Sequence, residues 1–175
     1  MPIANGFLHP DEYVEEFFFN LEVGFCQTCS MVQLTQLVEP RQLFHKNYAY
    51  FASTSASMVT HFRKFSLDVL ALLDGIHDPF VVEIGSNDGI MLQNFSDRQI
   101  RHLGVEPSDN VAEQARIKGI NSISCFFNQA LAKNIVDQHG PANAILGANV
   151  VSHIPTLNSL LEGVDILLAK GGWNL

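Results

Sequence analysis

Hydrophobic positions fall into two regimes along the chain. In residues 1–45 no long helical period runs; Phe17, Phe18, Phe19, Leu21, Val23 and Phe25 predict one strand and residues 31–37 another, with Cys26 and Cys29 as the knuckle between them. This is a small β-rich module over 1–45, whose many apolar side chains need a metal or a neighbour to cover them. From Ser57, read as the cap, Val59, Phe62, Phe65, Val69 and Leu72 recur at helical spacing, and Gly75 closes that helix. Past Pro79 short apolar runs alternate with helical stretches: strand 80–84, helix 89–98, strand 102–106, helix 109–118, strand 122–126, helix 128–138, strand 143–148 and helix 156–169. Such alternation predicts an α/β fold, a Rossmann-like parallel sheet with helices on both faces. Three segments follow: the module 1–45, a linker with packing helix over 46–78, and the sheet domain over 79–175.

The central run reads FVVEIGSNDG over residues 80–89. A β-branched strand stops at a loop with glycine at each end, which lets backbone approach a ligand closely. Glu106 follows roughly 20 residues after Gly85, at the end of the next strand, where a carboxylate accepts hydrogen bonds from both hydroxyls of a ribose. The glycine spacing is G-x-x-x-G, without the third glycine of a dinucleotide fingerprint. Glu83, Asn87 and Asp88 bring side-chain oxygens that repel a pyrophosphate and suit a cationic ligand such as S-adenosylmethionine. The cofactor set read here is Glu83, Gly85, Ser86, Asn87, Gly89, Glu106 and Pro107, with Asn149 at a neighbouring cofactor atom. Phe126 and Phe127 either flank the adenine or belong to the core.

Length and composition narrow the classes. With 175 residues, 47% of them apolar, the chain can form one sizeable core and a small appendage. A formal charge of -8 disfavours nucleic acid as a partner, no apolar run spans a membrane, and the N-terminus lacks the features of a signal peptide, so the expected compartment is the cytoplasm. Three cysteines make no disulfide framework; Cys125 reads as a small buried residue, and Cys26 and Cys29 have the spacing of half a zinc site.

Several segments together resemble the sugar C-methyltransferases, enzymes that methylate a carbon of a nucleotide-linked deoxysugar. They are Pro2, Ala4, Asn5, Phe7 and Leu8; Cys26-x-x-Cys29 with Val32, Gln33 and Leu34; Tyr48-x-Tyr50-Phe51-x-Ser53; residues 83–89; residues 103–107 with Asn110 and Val111; and Asn149-Val150-Val151-x-His153-Ile154-Pro155. The resemblance implies a class I methyltransferase sheet, S-adenosylmethionine as cofactor, a keto-deoxysugar nucleotide as substrate and an N-terminal zinc-binding domain with four cysteines. Only one pair is present here, so the metal assignment stops at Cys26 and Cys29. Such sheets have seven strands, whereas residues 173–175 begin only a fifth. Both ends therefore read as cut, with a partner chain as one way to cover the edges. The family's Tyr-His-Glu-His segment, which supplies the general base, is expected beyond residue 175.

Carbon methylation needs an enolate, formed when a base removes the proton beside a ketone and donors stabilise the oxygen. His153, after the fourth strand, is assigned to that oxygen, against the plainer reading of a surface residue. The aromatic, hydroxyl-rich stretch at 43–57 is either a linker or a substrate contact; the resemblance favours contact, with Tyr50 in a catalytic role and Tyr48 and Ser53 on the sugar. Two other functions stay open: a nicotinamide-dependent oxidoreductase on the same fold, and a non-catalytic remnant that at most binds the cofactor.

Overall fold

The computed structural model describes residues 2–3, 7–45 and 47–175. Ala4 and Asn5, which carry part of the resemblance, lie outside the described residues. The chain divides into two units, Met1–Tyr50 and Phe51–Leu175.

In the first unit, β1 (Val23–Phe25) and β2 (Val32–Leu34) pair antiparallel, Val23 opposite Leu34 and Phe25 opposite Val32. Both strands are shorter than their apolar runs predict. Residues 26–30 turn the chain between them, with Ser30 at φ +60 and its N–H donating to the Cys26 carbonyl at 2.8 Å. A short 3-10 turn, Pro10–Glu15, and a one-turn helix, α1 (Pro40–Leu43), complete the unit. Phe17, Phe18, Leu21, Val23, Phe25, Met31 and Val32 are all exposed, and a two-stranded ribbon by itself makes little core.

The second unit opens with a 3-10 turn, Ala52–Thr54, and helix α2 (Ala56–Leu72), which buries Phe62, Ser66 and Val69 along one stripe. Its cap is Ser55, whose Oγ accepts the Met58 N–H at 3.4 Å, while Ser57 only meets the Ser55 hydroxyl at 2.9 Å. The cap thus lies two residues before the serine predicted for it.

Five parallel strands follow: β3 (Phe80–Ile84), β4 (Arg101–Val105), β5 (Ser122–Ile123), β6 (Ala142–Leu146) and β7 (Leu168–Asn174), in the order β5-β4-β3-β6-β7. The chain runs outward through β3, β4 and β5, then returns to place β6 on the other side of β3. That reversal is the switch point at which open α/β sheets bind ligands beyond the strand ends. β3 is buried at all five positions because both faces are covered. Val81 packs with Phe62, Val69, Met91 and Phe95 on one face; Phe80, Val82 and Ile84 pack with Ile135, Leu160 and Leu167 on the other. The covering helices are α2 and α3 (Gln93–Ser96), α4 (Asp109–Ile117), α5 (Gln129–His139) and α6 (Leu157–Leu167). A fifth strand is present but begins at Leu168, within the helix predicted over 156–169 and five residues before the start expected for it, with Trp173 opposite Ala144 and Asn174 opposite Ile145.

Two further expectations fail locally. The helix predicted over 89–98 is only α3, four residues long, because residues 85–92 wind in tight turns first. Cys125 is exposed, since β5 ends at Ile123 and residues 124–127 leave the sheet.

Candidate active site

The loop after β3 is built on left-handed backbone: Gly85 at φ +68, Asn87 at φ +48 and Gly89 at φ +78. Two of these positions are glycine because a side chain there costs conformational strain. A Cβ on Gly85 would also come within 2.5 Å of Val150 Cγ2, so the loops after β3 and β6 touch at the switch point. The Gly85 N–H donates to the Val105 carbonyl at 2.8 Å and the Gly89 N–H to the Ser86 carbonyl at 3.0 Å. Backbone turns, with no long helix N-terminus, shape the cradle.

Glu106 faces this bend. It is 4% exposed, and its two oxygens accept N–H groups from both sides, Asn87 at 3.0 Å on Oε2 and Ser108 at 2.8 Å on Oε1. Burial pushes its carboxyl above the usual range, and the Ser108 and Asn87 N–H groups pull it back. Each oxygen keeps a second acceptor direction.

Glu83, at the penultimate position of β3, is 3% exposed. Desolvation first, then the Glu106 and Asp88 charges, push its carboxyl well above the usual range. Glu83 Oε2 and Ser86 Oγ are buried and lack a hydrogen-bond partner among the described residues. Ser86 reaches this place because β4 carries Gly104 below it, where a Cβ would lie 2.9 Å from Ser86 Cβ. Orphaned acceptors beside a glycine cradle fit the ammonium and ribose groups of S-adenosylmethionine.

The other acceptors that the sequence singled out are spent within the protein. Asn87 Oδ1 accepts the Ala52 N–H at 2.8 Å. Asp88, 1% exposed, takes the Lys118 ammonium at 2.9 Å together with the N–H and hydroxyl of Ser53. Lys118 therefore pairs with Asp88, and among the described residues the carboxyl groups without a cationic partner at the bend are Glu83 and Glu106. Sequence reasoning missed Lys118: it lies 30 residues from Asp88 and in no motif.

The remaining candidates spread around the strand ends. Pro107 is half-buried beside Glu106. Asn149, exposed at φ +57, and His153, exposed at the end of the 3-10 turn Val151–His153, sit on the loop after β6. Phe127 packs in the core layer under α6, where a Cβ on Gly163 would be 2.8 Å from its ring; Phe126 is half-buried. Tyr48 and Tyr50 belong to the first unit, Tyr48 with its ring 5.7 Å from Phe44 and Tyr50 exposed.

Cys26 and Cys29 share the turn between β1 and β2. N–H groups of Cys29 and Thr28 directed at the Cys26 sulfur hold its thiol below the usual range. A structural zinc needs four donors. Among the described residues no three His, Cys, Asp or Glu side chains converge, so these residues do not close a zinc site.

Residues 1–44 match a family model described as "Putative zinc binding domain", and residues 82–174 match a methyltransferase domain. The C-methyltransferase NovU of Streptomyces niveus is 34% identical over 175 residues, which covers 98% of this chain and 41% of NovU. The chain thus spans about two fifths of the length of that relative. Among solved structures, the plantazolicin methyltransferase BpumL in complex with a triazolic desmethylPZN analog and SAH superposes with a TM-score of 0.53 at 17% identity, over 67% of this chain and 46% of BpumL. SAM-bound CalS10, an amino pentose methyltransferase from Micromonospora echinaspora, gives 0.52 at 15% identity, over 71% and 55% of the two chains. These two likenesses concern the fold alone. With a methyltransferase domain matched over more than half of its residues, this chain belongs to that methyltransferase domain family.

Proposed function

We propose that the chain binds S-adenosylmethionine at the switch point between β3 and β6 and serves methylation of a carbon in a nucleotide-linked keto-deoxysugar, through an enolate. The observation that carries the reading is Glu106, buried at the end of β4 and turned onto the glycine bend by the Asn87 N–H. Carbon as the methylated atom draws on the likeness to a C-methyltransferase. The sugar draws on the segments around Cys26, Tyr48, Glu83, Glu106 and His153.

When bound, S-adenosylmethionine supplies a methyl group on positively charged sulfur. Glu106 accepts the ribose hydroxyls with its remaining lone pairs, and the Glu83 carboxylate and Ser86 hydroxyl take up the ammonium end in place of water. Gly85 and Gly89 keep side chains out of its path. Pro107, Asn149 and Phe126 border the adenosine, and Phe127 backs it from the core. His153 donates to the ketone oxygen and stabilises the enolate that forms when a general base takes the proton from the neighbouring carbon.

Calorimetric titration with S-adenosylhomocysteine tests the reading. The wild-type chain binds, and Glu106→Gln weakens binding by roughly 1–3 kcal/mol, the scale of hydrogen bonds to a charged group. NADH gives no heat. Absence of binding by the wild-type chain, or an unchanged affinity in Glu106→Gln, overturns the assignment.

A further inference from the structure

Lys118 lies just past the last residue of α4, outside every segment that carries the family resemblance. Its ammonium donates to Asp88 Oδ2 at 2.9 Å, to the Asp88 carbonyl at 3.1 Å and to the Ser53 hydroxyl at 2.9 Å. Ser53 donates its hydroxyl to Asp88 Oδ2 and its N–H to both carboxylate oxygens at 3.3 Å. One residue earlier in each segment, Asn87 Oδ1 accepts the Ala52 N–H. Two consecutive loop side chains therefore hold two consecutive N–H groups of the turn that precedes α2. A helix-terminal cation serving only the last carbonyls of α4 would have no reason to meet Asp88.

We propose that Lys118 and Ser53 are positioning residues that lock the cofactor loop, residues 85–89, in its binding conformation. The inference rests on the cofactor reading above. Asn87 sits at φ +48, left-handed backbone that asparagine adopts readily, with its side chain pinned by the Ala52 N–H at 2.8 Å. Its N–H is also the group that turns Glu106 onto the bend. Lys118 and Ser53 fix Asp88, the neighbouring peptide fixes Asn87, and Asn87 fixes Glu106. A loss at residue 118 thereby reaches the ribose-binding carboxylate without touching it.

Two measurements on the full chain test this: calorimetric affinity for S-adenosylhomocysteine and amide hydrogen exchange without ligand. Lys118→Met weakens the affinity about tenfold, on the scale of a lost charge-assisted bond, and Lys118→Arg restores it to within about threefold. Ser53→Ala weakens it about threefold. In Lys118→Met the amides of Ala52, Ser53 and Asn87 exchange about tenfold faster, while those in β3 and β4 keep their protection, a local opening without global loss. The double variant Asp88→Asn with Lys118→Met has no stranded buried charge; it recovers the wild-type melting temperature but not the affinity. Wild-type affinity in either Lys118→Met or the double variant overturns the inference, as does acceleration spread evenly over β3 and β4. Failure of the wild-type chain to bind would overturn the cofactor reading instead, and the exchange pattern would still decide on the lock.

Discussion

Glu83 is a carboxyl group without compensation: burial and the Glu106 and Asp88 charges all oppose its ionisation, and Oε2 has no partner among the described residues. An unfolded glutamate releases its proton near about pH 4.3, while the folded Glu83 still holds it well above that. Across this window the unfolded state binds fewer protons, so stability falls as pH rises and is fully present only below the unfolded value. Glu106 contributes with the same sign. The urea midpoint of the ligand-free chain should therefore fall between mildly acidic and mildly alkaline pH. Glu83→Gln should flatten that fall and raise stability at pH 8, because an amide has no charge to desolvate there. The same change should weaken S-adenosylmethionine binding, because a neutral amide does not answer an ammonium. Parallel urea and calorimetric titrations check both signs, and a stability gain without an affinity loss would remove Glu83 from the cofactor set.

Strands and loop ends were legible because local pattern decides them. The run 80–84 became β3 without a change of limits, and the glycines at 85 and 89 took the positive φ that a tight bend demands. Glu106 could be placed beside the bend because parallel neighbours in a sheet have a fixed register, here Ile84 opposite Val105. Where partners are distant, the sequence was silent: Asp88 meets Ser53 at a separation of 35 residues and Lys118 at 30, and no periodicity encodes such a pairing. Helix α3 came out short and Cys125 exposed because apolar residues in tight turns mimic the pattern of a longer element. Register also gives β4 a testable weak point. Gly104→Ala pushes a methyl group toward Ser86 and within 3.1 Å of Leu92 Cδ1 in a buried layer. The expected cost is about 1–3 kcal/mol in a denaturant melt, as for other overpacked sites, with weaker binding of S-adenosylhomocysteine because Ser86 is displaced.

At the scale of the molecule, the buried core belongs to the second unit, whereas exposed large apolar side chains occur in both, Ile117 and Leu161 in the second among them. Every buried apolar residue among those described lies at Ala52 or beyond, while Phe7, Tyr13, Val14, Phe17, Phe18, Phe25 and Leu37 are exposed in the first fifty residues. Burial drives cooperative folding, and exposed apolar clusters drive association. A fragment of residues 51–175 should therefore keep the cooperative thermal transition, keep the Ser53 and Lys118 contacts to the loop, and stay in solution at higher concentration than the full chain. Ligand linkage gives the sharper test. S-adenosylhomocysteine at about one hundred times its Kd should stabilise the fragment by about 2.7 kcal/mol, the same shift as in the full chain, because a ligand bound only to the folded state acts by mass action. Scanning calorimetry with and without ligand measures both. If the fragment melts without cooperativity, or its ligand shift is lost while that of the full chain persists, then residues before 51 contribute to the cofactor site, and the site assigned here to the strand ends alone is incomplete.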